Sequence, residues 1–352
     1  MRGDVLEHVL DRAHANAVPL EVLFEVTHRC NLPCEHCYLH DKSNRGELTL
    51  DEIERVFGEL ADAGTLVLTL TGGEPFSRTD FLDIVDLAHA AGFALKILTN
   101  ATRITDEVAA RFADRNVLEV SVSVYGSGAD IHDRVTALPG SYARTMAGIE
   151  RLRAHGVHVV IKTPLMTLNG DAARSVHELT RAHGIPCRFD TTITPKLDGD
   201  TSTLGLQLAR PRLVQILKQE PFRSLYADVP FDGPGPSPCA AGRAFCSISP
   251  TGDVQPCIMM PRVVGNVRES SFDEIWTGSA LFDRLRDLTP AALVCTSCDV
   301  RGACSRCPGL TVQRGGDIDD CDESARVVAT ARLDARTQIE RESTELRGAL
   351  HE

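Results

Sequence analysis

Cys30, Cys34 and Cys37 stand in the run Cys-Asn-Leu-Pro-Cys-Glu-His-Cys-Tyr, a C-x3-C-x2-C spacing. Three thiolates this close can ligate three corners of a four-iron cluster. The fourth iron is then left without a protein ligand. Structural clusters and zinc knuckles normally take four protein ligands, so a triad points to an iron kept open for a small molecule.

The chain holds 12 cysteines in all. Eight fall late, as Cys239-x6-Cys246-x10-Cys257, then Cys295-x2-Cys298-x5-Cys304-x2-Cys307, then x13-Cys321. Eight thiols divide into two closed four-ligand sites, and by count these are either two zincs or two [4Fe–4S] clusters. Cys187 stands alone. It reads either as a small buried residue or as a thiol facing the interior of a site.

Elements able to position these residues follow from the hydrophobic pattern. Apolar strand-like runs occur at 22–27, 66–71, 94–99, 117–124, 157–163 and 186–190. Amphipathic helices fit between them at about 50–63, 79–91, 105–114, 141–155 and 171–183. Thr49 with Glu52 forms a capping box for the first helix, and Gly64, Gly92, Gly156 and Gly184 read as stops. The continuous apolar runs suit parallel strands covered on both faces. Six βα units predict an α/β fold, a partial (β/α)6 TIM-like barrel with its site at the C-terminal strand ends. Several features fall at that face: the triad after the first strand, Gly72-Gly73-Glu74-Pro75 after the second, Thr99-Asn100 after the third, and Ser121 and Ser123 on the fourth. Glycines allow close backbone approach to a ligand, and a carboxylate beside them can hold an ammonium group.

After about residue 200 the pattern changes. A helix is expected over 208–220, a Pro/Gly-rich linker over 229–238, a cysteine-rich segment organised by metal over 239–321, and a charged helix over 324–350. The expected division is 1–19 as an N-terminal segment, 20–200 as the partial barrel, 201–238 as bridging helix and linker, 239–323 as a small cysteine-rich domain, and 324–352 as a C-terminal helix.

Composition bounds the rest. Of 352 residues, 43% are hydrophobic and 24% charged, which suits an ordinary soluble core. No apolar run approaches about 18 residues, so no membrane partner is expected. The N-terminus, short and mixed in charge, does not read as a secretory signal, and the cytoplasm is expected. A net charge of -12 argues against nucleic acid as a partner. Disulfides are disfavoured in the cytoplasm, so metal or redox chemistry leads for the cysteines.

On Cys30, Cys34, Cys37 and Gly72-Gly73-Glu74-Pro75, over six βα units, residues 20–200 resemble the radical SAM superfamily. The resemblance implies a [4Fe–4S] cluster on the three cysteines and S-adenosylmethionine (SAM) chelating the open iron. The glycine-rich turn would receive the SAM amino group. Electron transfer to the sulfonium would yield methionine and a 5′-deoxyadenosyl radical, which takes a hydrogen atom from an unactivated C–H. The superfamily usually has an aromatic before the third cysteine, packed on adenine. Here that residue is His36, with Tyr38 nearby. Cofactor contacts are accordingly expected at Tyr38, Gly72, Gly73, Glu74, Pro75, Asn100, Ser123 and Lys162. An external electron donor such as flavodoxin or ferredoxin is implied.

The late cysteines, with Gly252 before Cys257, resemble the SPASM extension of radical SAM enzymes. The chain departs from that pattern by having two residues, not three, between Cys304 and Cys307. The resemblance implies two auxiliary [4Fe–4S] clusters, one on Cys239, Cys246, Cys257 and Cys307, the other on Cys295, Cys298, Cys304 and Cys321. With the first cluster this makes three. The auxiliary pair would accept or relay an electron.

Enzymes with this extension mostly modify peptides, so peptide maturases are the kind most resembled. The substrate expected is a ribosomally synthesised peptide, modified by cross-linking or oxidation. Alternatives are small-molecule tailoring in a haem or quinone pathway, and peptide epimerisation with Cys187 as the hydrogen donor. In sulfatase-maturating enzymes an aspartate follows the third SPASM cysteine, whereas Ile258 follows Cys257 here. That counts against formylglycine formation by the same mechanism. Only about 20 residues precede the first strand. Either a separate leader-peptide-binding protein presents the substrate, or the substrate carries no leader. Arg134, Asp190, Lys196 and Asp198 are further candidates for substrate contact.

Overall fold

The computed structural model describes residues 8, 11–227, 239–289 and 293–349. The expected linker at 229–238 lies outside the described residues. Six parallel strands form the first part: β1 (Glu21–Thr27), β2 (Val67–Gly72), β3 (Ala94–Thr99), β4 (Glu119–Ser123), β5 (Val159–Pro164) and β6 (Cys187–Asp190). Between them run α1 (Leu50–Asp62), α2 (Phe81–Ala90), α3 (Asp106–Asp114), α4 (Ala129–Thr136), α5 (Ser141–Ala154) and α6 (Ala173–Ala182). The capping box expected at Thr49 and Glu52 is formed. Helix α4 was not expected from the sequence pattern.

The later part contributes α7 (Arg210–Leu217), then β7 (Phe245–Ile248), β8 (Asp253–Gln255) and β9 (Gly265–Asn266). It continues with α8 (Phe272–Gly278), α9 (Ala280–Asp287), α10 (Pro308–Gln313) and α11 (Glu323–Ala349). The nine strands make one sheet in the order β6-β5-β4-β3-β2-β1-β7-β8-β9. Strand β7 pairs in parallel with β1, setting Cys246 opposite Val22, and β8 and β9 turn back antiparallel. The cysteine-rich segment therefore begins as an extension of the barrel sheet.

The strands are two-faced, unlike the doubly apolar strands expected. Val22, Phe24 and Val26 of β1, Leu68 and Leu70 of β2, and Val120 and Val122 of β4 join one core with helix residues such as Ile53, Phe57, Ile84 and Phe112. Many of the alternate positions are polar, Leu23 and Leu98 being exceptions, and several bond one another across the lumen face. Lys96 Nζ lies 3.1 Å from both Glu21 oxygens, and Thr69 donates to Glu21 at 2.9 Å. Arg188 grips Glu119 through both oxygens, at 2.9 and 2.8 Å. Alternation follows from the period of two in a strand.

Helix α5 packs closely on the end of β3 through Gly148. A Cβ there would sit 2.2 Å from the Ala101 carbonyl oxygen. Gly148→Ala is therefore expected to lower stability by about 1–3 kcal/mol, read as a lower urea midpoint with an unchanged slope.

Candidate radical and iron–sulfur sites

The triad sits on the loop leaving β1, and the turn after β2 braces that loop. Gly73 N–H donates to the Thr27 carbonyl at 2.7 Å and Glu74 N–H to the Arg29 carbonyl at 2.8 Å. A Cβ on Gly72 would stand 2.1 Å from the Thr27 oxygen, and one on Gly73 would stand 2.4 Å from the Arg29 oxygen. Gly72 also has φ +147°, a conformation side chains rarely adopt. These glycines thus admit the backbone just ahead of Cys30. Arg78, buried, adds bonds to the carbonyls of Val26 (3.1 Å) and Leu48 (2.8 Å) and an ion pair with Asp80.

Glu74 is fully buried beside Pro75. Its carboxylate accepts from Thr99 Oγ1 (2.7 Å), Asn100 N (2.7 Å) and Phe76 N (3.3 Å). Burial raises its pKa despite these donors. The side chain ties the end of β2 to the end of β3. Asn100 carries the tie onward: its Nδ2 donates to Asn31 Oδ1 at 3.0 Å, and Asn31 Nδ2 donates to Thr102. The cysteine loop is thereby held from two strands at once.

Within the loop, Leu32 N–H points at Cys30 Sγ (3.4 Å), and Lys42 Nζ donates to the Leu32 carbonyl (2.9 Å). Burial, then mutual repulsion among the triad, pushes Cys34 up to about 12; Cys30 is also raised, by burial first. Thiolates crowded in this way need a cation, and a bound cluster supplies one. The donor set therefore fits the iron–sulfur centre expected there. Tyr38 donates to Glu25 Oε1 at 2.8 Å, anchoring the loop to the lumen face of β1. His36 packs edge-on against Tyr125, with ring centres 4.9 Å apart. Ser123 and Lys162 are neighbours in register on β4 and β5. Burial lowers the Lys162 pKa, with Glu119 and Asp190 opposing the shift.

The late cysteines gather into two groups. Cys257 interacts electrostatically with Cys239 and Cys307, and Cys246 with Cys257. Cys304 interacts with Cys295, Cys321 and Cys298, and these four line one small hollow. Burial is the largest cause of the raised pKa at Cys257, to about 12, and at Cys304, to about 11. The mechanics of this grouping are local. Gly309 lets α10 approach the Met259 carbonyl, where a Cβ would stand 2.4 Å away, and so brings Cys307 beside Cys257. Asp322 accepts from Cys307 N–H (3.1 Å) while capping α11 through Ser324 and Ala325, which joins Cys321 to the same knot. Among the described residues, no three His, Cys, Asp or Glu side chains stand close enough to hold a single metal ion.

Cys187 lies opposite Ile161 in register and packs with Phe189 against the helix-side core. Its sulfur is 3.9 Å from Thr163 Oγ1, and burial pushes its pKa up to about 11. Lys162 and Arg188 occupy the alternating face. Strand β6 thus turns this thiol toward the helices, not toward the lumen. Arg134 is committed to the Leu168 carbonyl (2.6 Å), and Lys196 to Asp200 (2.7 Å). A cavity of about 250 Å³, not foreseen from sequence, opens beyond the end of β6. Phe189, Leu213, Phe222, Met259, Cys307 and Leu310 form much of its wall.

Comparison with known proteins agrees with this architecture. The Radical SAM superfamily profile matches residues 24–182, and an iron–sulfur cluster-binding SPASM domain matches residues 239–308. The AdoMet-dependent heme synthase of Methanosarcina barkeri is 30% identical over 327 residues, covering 85% of this chain and 94% of its own. The chain belongs to the radical SAM superfamily and carries a SPASM domain. It is an enzyme of the SAM and iron–sulfur type. Mycofactocin maturase MftC of Mycobacterium ulcerans is 30% identical over 328 residues, covering 88% of this chain and 84% of its own. The PqqA peptide cyclase of Rhodopseudomonas palustris is 29% identical over 363 residues, covering 94% of each. The fold is shared with Streptococcus suis SuiB bound to its precursor peptide SuiA (TM-score 0.67, 16% identity, 92% of this chain and 80% of that one). Among the described residues, no helix is long and apolar enough to cross a membrane.

Replacing Glu74 should test the brace. Glu74→Ala leaves three donors without their acceptor, the Thr99 hydroxyl buried and the Asn100 and Phe76 N–H groups part-buried, the buried one costing about 1–3 kcal/mol. The urea midpoint is expected to fall by more than that of Glu74→Gln, which keeps an acceptor in place.

Proposed function

We propose that this enzyme modifies a ribosomally synthesised peptide by radical hydrogen abstraction followed by oxidation, most simply as a cross-link. The observation that carries the reading is the open triad at the C-terminal end of β1, with two further groups of four cysteines in the segment that adds β7 to the edge of that strand. We assign Cys30, Cys34 and Cys37 to the radical cluster, Cys239, Cys246, Cys257 and Cys307 to one auxiliary cluster, and Cys295, Cys298, Cys304 and Cys321 to the other. When bound, SAM and the clusters supply hydrogen-atom abstraction and one-electron transfer.

The chain's own residues do the positioning. Glu74, Asn100 and Asn31 hold the triad loop in place, and Tyr38 fixes its far end on Glu25. Ser123 and Lys162 offer a hydroxyl and a cation at the lumen rim, suited to the polar groups of SAM. The cavity beside Cys307 suits a large apolar side chain of a peptide. A peptide substrate is further supported by the PqqA peptide cyclase relative and by the shared fold of the peptide-bound SuiB. Ile258 gives no carboxylate after Cys257, and Cys187, set toward the helices, gives the lumen no thiol. Both favour cross-linking over formylglycine formation or epimerisation. We place the enzyme in the cytoplasm, with a small electron-transfer protein such as flavodoxin or ferredoxin as donor and a separate protein presenting any leader. The proposed division runs 20–200 for the barrel and 239–323 for the auxiliary domain.

A second reading, tailoring of a haem precursor, is favoured by the heme synthase relative. Anaerobic turnover with peptides encoded beside the gene, against turnover with haem-precursor tetrapyrroles, separates the two. A peptide product lighter by two hydrogens supports the first reading; tetrapyrrole conversion alone overturns it.

Reconstituted protein should hold about 12 irons per chain, four for each cluster. Cys30→Ala should abolish SAM cleavage while retaining about two-thirds of the iron. Cys304→Ala should lose about four irons and leave the triad's SAM-dependent signal in place.

A further inference from the structure

A cross-link that leaves a peptide two hydrogens lighter needs more than hydrogen-atom abstraction. SAM chemistry removes one hydrogen together with its electron. The second must leave as a proton when the new bond forms, and one further electron must leave with it. A one-electron acceptor, here an oxidised auxiliary four-iron cluster, takes the electron but not the proton. A lumen that excludes water therefore needs a base of its own.

Few groups on the inner face of the barrel can act so. Glu21 is held by Lys96 through both oxygens at 3.1 Å and accepts from Thr69. Glu119 is held by Arg188 through both oxygens and accepts from Ser121 Oγ at 2.6 Å. A carboxylate paired with a cation is a poor base, because the cation favours its ionised form. Glu74 is occupied by three donors at the ends of β2 and β3. Lys162 interacts with Glu119 and Asp190, which favour its charged form. Asp190 is exposed at the end of the rim strand β6, where it accepts from Thr192 N–H at 2.8 Å.

Glu25 differs from all of these. It shares the lumen face of β1 with Glu21, is 2% exposed, and lies opposite Thr71 in register, just below the triad loop. Among the described residues it has no Lys or Arg partner. Oε1 accepts from the Tyr38 hydroxyl at 2.8 Å, and Tyr38 directly follows Cys37. That bond fixes the carboxylate against the loop that carries the triad. Oε2 meets only His28 Nε2, at 3.5 Å, the outer limit of a hydrogen bond. An ionised carboxylate has about four acceptor sites, so Oε2 keeps room for a proton.

We propose that Glu25 is the base that takes the second proton of the cross-linking reaction. The substrate carbon that has lost its hydrogen atom bonds to a second substrate atom. The bond from that second atom to its own hydrogen breaks. The proton passes to Glu25 Oε2, and the remaining electron passes to the oxidised auxiliary cluster. The peptide thus loses one hydrogen as an atom and one as a proton and an electron. The assignment rests on the peptide cross-linking reading and gives it a catalytic residue. It also accounts for Ile258 after Cys257: the proton is taken on the β1 side, so no carboxylate is needed beside the auxiliary group.

The test uses reconstituted full-length protein, SAM, a chemical reductant and carbon-deuterated peptides encoded beside the gene. Glu25→Gln keeps an acceptor for Tyr38 and removes the base. It is expected to retain its iron and to transfer deuterium from peptide to 5′-deoxyadenosine. Cross-linked product per 5′-deoxyadenosine should fall about a hundredfold, the low end of general-base catalysis. Freeze-quenched samples should also show a longer-lived peptide radical by electron paramagnetic resonance. Wild-type coupling of product to 5′-deoxyadenosine in Glu25→Gln overturns the proposal. So does loss of deuterium transfer with the iron intact, which makes Glu25 a support of the triad loop alone. Should Glu25→Gln fail to hold iron, Glu25→Asp is compared with Glu25→Ala. Better coupling in the aspartate variant, which keeps a carboxylate, supports the proposal, and equal coupling overturns it. If the wild-type protein forms 5′-deoxyadenosine but cross-links none of the peptides, the cross-linking reading falls and Glu25 with it. That failure is told apart because it appears without any substitution.

Discussion

The close approach of the β2–α2 turn to the end of β1 is the constraint on which the rest depends. Two consecutive glycines, Gly72 and Gly73, press against the carbonyls of Thr27, His28 and Arg29. No side chain fits between them. The contact sets where β1 ends and where the cysteine loop departs, and so where three thiols converge. Glu74 then anchors the same turn to β3 through Thr99 and Asn100. A reactive loop rich in polar backbone is thus held by hydrogen bonds that are buried and short of competition from water.

Strand β1 serves both halves of the protein. Its C-terminal end launches the triad, and its outer edge pairs with β7, which carries Cys246. The separation between the triad and the late group that includes Cys246 is therefore set by a strand pairing, one of the stiffest connections a protein has. Cys307 reaches this group only because α10 folds back on the Cys257 loop. The tie from Asp322 to Cys307 then couples the position of one group to the other.

Much of this was legible beforehand, and the reasons for the rest are physical. The six βα units and the Thr49–Glu52 cap are local patterns that tertiary packing did not override. The triad and the turn after β2 were visible as residues, but the close approach of the glycines to the main chain at Thr27–Arg29 was not, because it is a tertiary contact. Strand polarity was underread: Lys96, Glu119 and Lys162 interrupt apolar runs once each, too sparsely to reveal a charged inner face until the strands align. Cys187 sits on a strand of four residues, too short for alternation to declare its face. The ring contacts among His36, Tyr125, His132 and Tyr142 join distant parts of the sequence and exist only in the folded chain.

The pairing of β7 with β1 also settles which strands form the rims of the sheet. In the nine-strand order these are β6 and β9, of four and two residues. Both are too short to recruit a neighbouring molecule. Without β7, the rim would instead be β1, seven residues long and carrying Val22, Phe24 and Val26. A bare strand of that length and composition is a template for self-association. The cysteine-rich segment therefore shields the barrel from aggregation as well as extending its chemistry. A barrel expressed alone would be expected to precipitate before its iron content could be measured.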